Sequence, residues 1–122
     1  MRVICFIRFF VLYLYGTLKT IRMNTKKDKV IARKNTPIYS GVISYFPLAF
    51  AEIAKASYVG QMQHNPDKPL AWDRSKSGDE LDAMMRHLID HASGEEFDDD
   101  GVRHIVKCGW RILAYIQKTI EK

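Results

Sequence analysis

The sequence predicts an all-α domain: three helices, a long ordered loop between the first and second, and a bundle completed by dimerisation. Three observations carry this prediction. Apolar residues recur at i, i+3, i+4 spacing in three separate stretches. Strong breakers, Asn65-Pro66, Lys68-Pro69 and Ser93-Gly94, fall between those stretches. A chain of 122 residues with 47% hydrophobic content suits one domain with a modest core, and three short helices bury so little that a second copy is expected.

The formal net charge of +5 is unevenly placed. Residues 1–22 contain Arg2, Arg8, Lys19 and Arg22 and no acid, which leaves 15 basic against 14 acidic groups in the rest. The high pI therefore comes from the prefix. The domain lacks the one-sided basic surplus of a nucleic-acid binder, and no direct nucleic-acid binding is expected. Cys5 and Cys108 follow no metal or disulfide spacing, which points to a reducing compartment.

Three regions follow in order: a prefix (1–22), a polar leader and loop (23–43) and the helical domain (44–122). The run VICFIRFFVLYLYGTL has the basic start and apolar centre of a signal peptide but no small-residue cleavage site after it. It falls short of the about 20 apolar residues that a membrane span needs. Three readings stand: translation starting at Met23, a membrane-associated helix if residues 1–22 are expressed, or an element of the domain. Residues 24–35 read as a flexible Lys-rich leader, and residues 36–47 as an irregular or partly extended loop.

The first helix is expected from Pro47, which suits a first turn, to Gln63, with Phe46, Phe50, Ile53, Ala54, Ser57 and Gln61 on one face. A ligand-binding loop, His64 to Ser77, follows it. The second helix is expected over Gly78–Ala92, with Ser77 and Glu80 as a capping box and Leu81, Met85, Leu88 and Ala92 as its core stripe. Gly94 ends it. Glu95, Glu96, Asp98, Asp99 and Asp100 form an acidic turn, with Asp99 or Asp100 a natural N-cap. The third helix is expected over Gly101–Glu121, with its stripe at Val102, Ile105, Gly109, Ile112, Leu113, Ile116 and Ile120, and with His104, Cys108, Arg111 and Tyr115 along one flank.

No Gly-rich phosphate loop and no recognisable Ser or Cys nucleophile is present. His87 and His91 have the i, i+4 spacing of a helical zinc pair, with His104 as a third ligand, but lack the HExxH context. Carboxylates are the stronger metal candidates. Glu52, Glu80, Asp82, Glu96 and Asp99 are placed to hold Mg2+ or Mn2+, which take oxygen ligands. Arg74, Lys76, Arg86 and Arg103 suit phosphates, and Trp72 or Tyr58 suits stacking on a base.

Three stretches carry a family resemblance: FAEIAKAS, HNPDKPLAWDRSKSGDELDAMMRHLIDH and DDDGVRHIVKCGWRILAYIQ. From about Ser44 to Glu121, roughly two thirds of the chain, the sequence resembles the phage and prophage dATP/dGTP diphosphohydrolase-like family. The resemblance is not seen in residues 1–35 and is strongest at His64, Asn65, Trp72, Arg74, Lys76, Ser77, Arg86, His87 and His104. It implies an all-helical domain related to MazG-type nucleotide pyrophosphohydrolases, which use Mg2+ held by helix carboxylates in an oligomeric bundle. The chain departs from the paired ExxE and ExxD pattern of that group, with Lys55 three residues after Glu52 and Ala83 three after Glu80.

The leading expectation is Mg2+- or Mn2+-dependent hydrolysis of purine deoxynucleoside triphosphates by a homo-oligomer in the cytoplasm of a phage-infected or lysogenic bacterium. Glu52, Glu80, Asp82 and Asp99 are assigned to metal, with Glu52 and His87 as catalytic residues. His64, Asn65, Trp72, Arg74, Lys76, Arg86 and His104 are assigned to substrate. The alternative is a non-catalytic phage accessory module that binds a nucleotide or a protein partner.

Overall fold

A computed structural model describes residues 25–76 and 78–122. The expectations for residues 1–22, and for Ser77 as a helix cap, lie outside the described residues. The described chain is all-helical, with four α-helices and no strand. It divides into two units between Tyr45 and Phe46. No described helix is long and apolar enough to cross a membrane.

The first unit corrects two expectations. Helix α1 (Lys26–Lys34) replaces the flexible leader. Its start is a capping box: Asp28 N–H donates to the Thr25 hydroxyl at 3.2 Å, and Thr25 N–H donates to the Asp28 carboxylate at 3.3 Å. Asp28 in the first turn and Arg33 and Lys34 in the last complement the helix dipole. The second correction is a wide helical turn at Tyr39–Ile43 in place of irregular backbone. Ser44 N–H closes it on Tyr39 O at 2.8 Å. A Cβ on Gly41 would lie 3.2 Å from Pro37 Cγ.

The second unit has three helices: α2 (Pro47–His64), α3 (Glu80–Ala92) and α4 (His104–Ile120). Helix α4 packs along α3 and also against α2. A Cβ on Gly109 would come within 3.2 Å of Ile53 Cδ1, so glycine there lets α2 and α4 approach closely.

The predicted start of α3 and the predicted cap of α4 are corrected. Asp79 stands at the α3 N-cap without a side-chain cap bond, and Arg103 stands at the α4 N-cap. The acids that were expected to cap α4 lie in the preceding turn. There Phe97 and Arg103 form an antiparallel bridge, and Asp98 N–H donates to Val102 O at 2.9 Å. Gly101 has φ +77° at the tip, a left-handed conformation that glycine adopts without a Cβ clash. Gly94 (φ +100°) ends α3 as expected.

The core coincides with the sequence pattern at Val102 and Gln61 but departs from it along most of α3 and α4. Leu81, Met85 and Leu88, the expected core stripe of α3, are exposed, as are Ile105, Leu113, Ile116 and Ile120 of α4. The buried groups are Ala83, Val102, Cys108 and Ala114, together with polar Gln61, Glu80 and His104. The inner seam therefore follows the small and polar flank. Ala83 is small enough for close approach, and the buried Cys108 thiol donates to Met84 O at 3.3 Å across the seam. Buried Glu80 accepts a bond from Lys118 at 2.8 Å, which compensates its desolvation.

Candidate functional site: a groove backed by a histidine pair

Gln61 shapes the loop after α2. It is 8% exposed, and its amide Nε2 donates to Asn65 O at 2.6 Å and Lys68 O at 3.1 Å. Its Oε1 accepts from Ala71 N–H at 3.3 Å. One side chain thus ties down a segment whose prolines, Pro66 and Pro69, lack an N–H to donate. The loop then lays Trp72 edge-on against Trp110, with centroids 5.7 Å apart and planes at 83°. Trp110 Nε1 donates to Ser57 Oγ at 2.8 Å, which joins α4 to α2.

These contacts leave a groove of about 470 Å3. The α2 end and the loop contribute Ser57, Gln61, His64, Asn65, Trp72 and Lys76, while α3 and α4 contribute His87, Lys107, Trp110 and Arg111, with Asp100 beside them. The volume lies in the range of small-molecule sites.

Behind the groove, His87 Nδ1 and His104 Nδ1 are 3.0 Å apart. His87 faces the groove, while His104 is 3% exposed. Asp98 Oδ2 is 3.9 Å from His87 Nδ1, Asp90 Oδ2 is 3.9 Å from His104 Nδ1, and Glu95 Oε2 is 4.0 Å from His104 Nε2. Lys107 Nζ bonds Asp98 and Asp100, each at 2.6 Å. Burial, then the nearby Lys107 charge, lowers the His87 pKa below its ordinary value and favours the neutral ring. Burial opposes the Lys107 charge, but bonds to Asp100 and Asp98 outweigh it and raise its pKa. The Lys107 bond holds Asp98 below the usual carboxylate range.

The structure brings part of the expected site together. His64, Asn65, Trp72, Lys76 and His87 all line the groove, and His104 backs it through His87. Arg74 stacks on Trp72 at 4.4 Å and makes a two-point ion pair with Glu121, at 2.5 and 3.0 Å. Arg86 is turned to Asp79 at 2.9 Å. Among the expected metal ligands, Glu52 bonds Lys55 at 2.9 Å, Glu80 is buried against Lys118, and Asp82 and Asp99 are exposed. Arg103 pairs with Glu96 and stacks on Phe97.

Those four carboxylates do not converge into one oxygen-ligand cluster within the chain. The group of three donors that does converge among the described residues is His87, Asp98 and His104, with ligand atoms all within 4.8 Å of one another. Burial raises the Cys108 thiol pKa, which suits a packing residue rather than a nucleophile. Lys107 and Trp110 were not singled out in the sequence, and Gln61 was read only as a residue of the first helix's face. Lys107 and Arg111 are four residues apart on α4, and that spacing was the available signal.

The groove walls carry Lys76, Lys107 and Arg111 together with Asp73 and Asp100, and with Lys107 held by Asp98 and Asp100, Lys76 and Arg111 are the cations placed to meet an anionic ligand. The family described as dATP/dGTP diphosphohydrolase, N-terminal matches residues 25–122, and the chain belongs to that family. The match begins at residue 25 and so takes in α1, ahead of the stretch where the resemblance was read. Comparison with curated proteins and with solved structures gives no match. The family description is that of a nucleotide hydrolase domain.

Proposed function

We propose that the groove binds a purine deoxynucleoside triphosphate and that the chain hydrolyses it to the monophosphate and pyrophosphate. The observation that carries this reading is the meeting of His64, Asn65, Trp72, Lys76 and His87 on one groove, in a chain of this family. Lys76 and Arg111 supply positive charge to the phosphates, and the edges of Trp72 and Trp110 offer apolar contact to a base. Neutral His87, on the groove wall, is suited to donate a ring N–H to a phosphate oxygen. The reading includes a divalent cation, Mg2+ or Mn2+, which neutralises phosphate charge when bound. The proposed setting is phage nucleotide metabolism in the cytoplasm of a bacterial host.

The proposal extends to assembly. Leu81, Met85 and Leu88 of α3 and Ile105, Leu113 and Ile116 of α4 are large apolar side chains left exposed by the three-helix unit. A second copy of the chain covers this surface and completes a bundle.

A second reading, a non-catalytic accessory module that binds a nucleotide or protein, is favoured by the separation of Glu52, Glu80, Asp82 and Asp99 within one chain. The full chain, incubated with a panel of deoxynucleoside triphosphates and Mg2+ or Mn2+, separates the two. Metal-dependent release of pyrophosphate from dATP or dGTP, lost in His87→Gln, is expected of the enzyme. A folded chain that binds dATP without releasing pyrophosphate is the accessory module.

A further inference from the structure

We infer that His87, Asp98 and His104 form a binding site for a divalent transition-metal ion such as Zn2+, Co2+ or Mn2+. The site goes beyond the hydrolysis reading, because it binds the ion without nucleotide. Its three donors come from three places, α3, the acidic turn and α4, and their ligand atoms lie within 4.8 Å of one another. The 3.0 Å between the two Nδ1 atoms is close to the spacing of two nitrogens on one ion, since metal–nitrogen bonds of about 2.0–2.1 Å place them about 2.9 Å apart at a right angle and about 3.4 Å apart at the tetrahedral angle of zinc. Two imidazoles and one carboxylate suit a transition metal better than Mg2+, which prefers an all-oxygen shell.

Carboxylates surround the histidine pair. Asp90, Asp98 and Glu95 stand 3.9–4.0 Å from nitrogens of the pair, Asp100 is joined to Asp98 through Lys107, and Lys107 is the ammonium within this group. His104 is 3% exposed, and its Nε2 has no hydrogen-bond partner among the described residues. With Nδ1 turned to an ion, the ring carries its proton on Nε2, which faces Glu95. A carboxylate behind a ligating histidine fixes the tautomer in this way. Without an ion, one Nδ1 donates to the other, and both lone pairs become available once that proton moves to Nε2.

The test uses the full chain without nucleotide, titrated with ZnCl2, CoCl2, MnCl2 and MgCl2 by calorimetry and by NMR of the ring protons. The four histidines supply an internal control. A transition metal is expected to shift or broaden His87 and His104 and to spare His64 and His91. His87→Gln and Asp98→Asn, both at partly exposed positions, are each expected to weaken binding by at least about tenfold while keeping the helical circular-dichroism spectrum. Absence of binding, equal response of all four rings, or wild-type affinity in both folded variants would overturn the site. Because binding is read directly, a chain that takes up the ion but hydrolyses nothing upholds the site and contradicts the hydrolysis reading alone.

Discussion

The two sides of α4 differ in a way that composition does not suggest. The side turned to α3 and the groove carries His104, Lys107, Cys108, Arg111, Ala114 and Lys118, which are buried or half-buried. Ile105, Leu113, Ile116 and Ile120 are exposed. Hydrophobic burial favours the opposite arrangement for an isolated helix bundle. The difference separates two tasks. The polar side is fixed by specific bonds, such as Cys108 to Met84, Lys118 to Glu80 and Lys107 to Asp98, while the apolar side is left for non-directional contact.

The comparison breaks most readily at the α3–α4 seam. Ala83 is 3% exposed, so Ala83→Leu forces three extra carbons into the closest approach. Overpacking of this kind costs about 1–3 kcal/mol, and a thermal melt should show a fall of several degrees. Leu88→Ala, on the open side of the same helix, should cost clearly less in the monomer. Equal losses would erase the distinction between the two sides.

Gln61→Ala comes next. It removes three part-buried bonds to the loop, the donor to Lys68 O among them. A loss of about 1–3 kcal/mol is expected, together with faster amide exchange in residues 65–71. Unchanged exchange there would show that the loop is held by other contacts.

Leu113→Asp sharpens the assembly side of the comparison. Leu113 is 41% exposed in the chain, so the charge should change monomer stability by no more than about 0.5 kcal/mol. In a dimer that covers this face, it should halve the mass measured by sedimentation.

The smallest effect concerns the end of α4. The Arg74 bond, then Gln117, lowers the Glu121 pKa from 4.5 to about 2. A depressed folded-state pKa gives stability that is present above the unfolded value and is lost as pH falls toward the folded one. Glu121→Gln should therefore melt slightly below wild type near neutral pH, and the two should converge as pH falls through about 2. The pair is exposed, so the gap is small and shrinks with salt.

The helices that frame the groove were legible because Pro47, Asn65-Pro66, Ser93-Gly94 and the 3.6-residue periodicity are local signals. Helix α1 was missed because its Lys-rich composition masks a capping box whose acid is Asp28 rather than Glu. The seam was misread for a different reason. Periodicity identifies which residues share a face, but the apolar faces of α3 and α4 match two partners equally well, each other or a second copy. The burial of Ala83 and the Cys108–Met84 bond show that the small and polar flanks meet instead. The loop after α2 was visible as an ordered loop, but Gln61 as its anchor was not, since a glutamine at a helix end has no distinctive pattern. Lys107 was hidden because its role depends on Asp98 and Asp100 folding back over α4.

The most direct test of the groove uses its own reporters. The chain has two tryptophans, and both Trp72 and Trp110 line the groove. Titrating the full chain with dATP while following tryptophan fluorescence should give a saturable change, and Lys76→Gln should weaken it. A flat titration, or one that Lys76→Gln leaves unaltered, would contradict nucleotide binding in this groove.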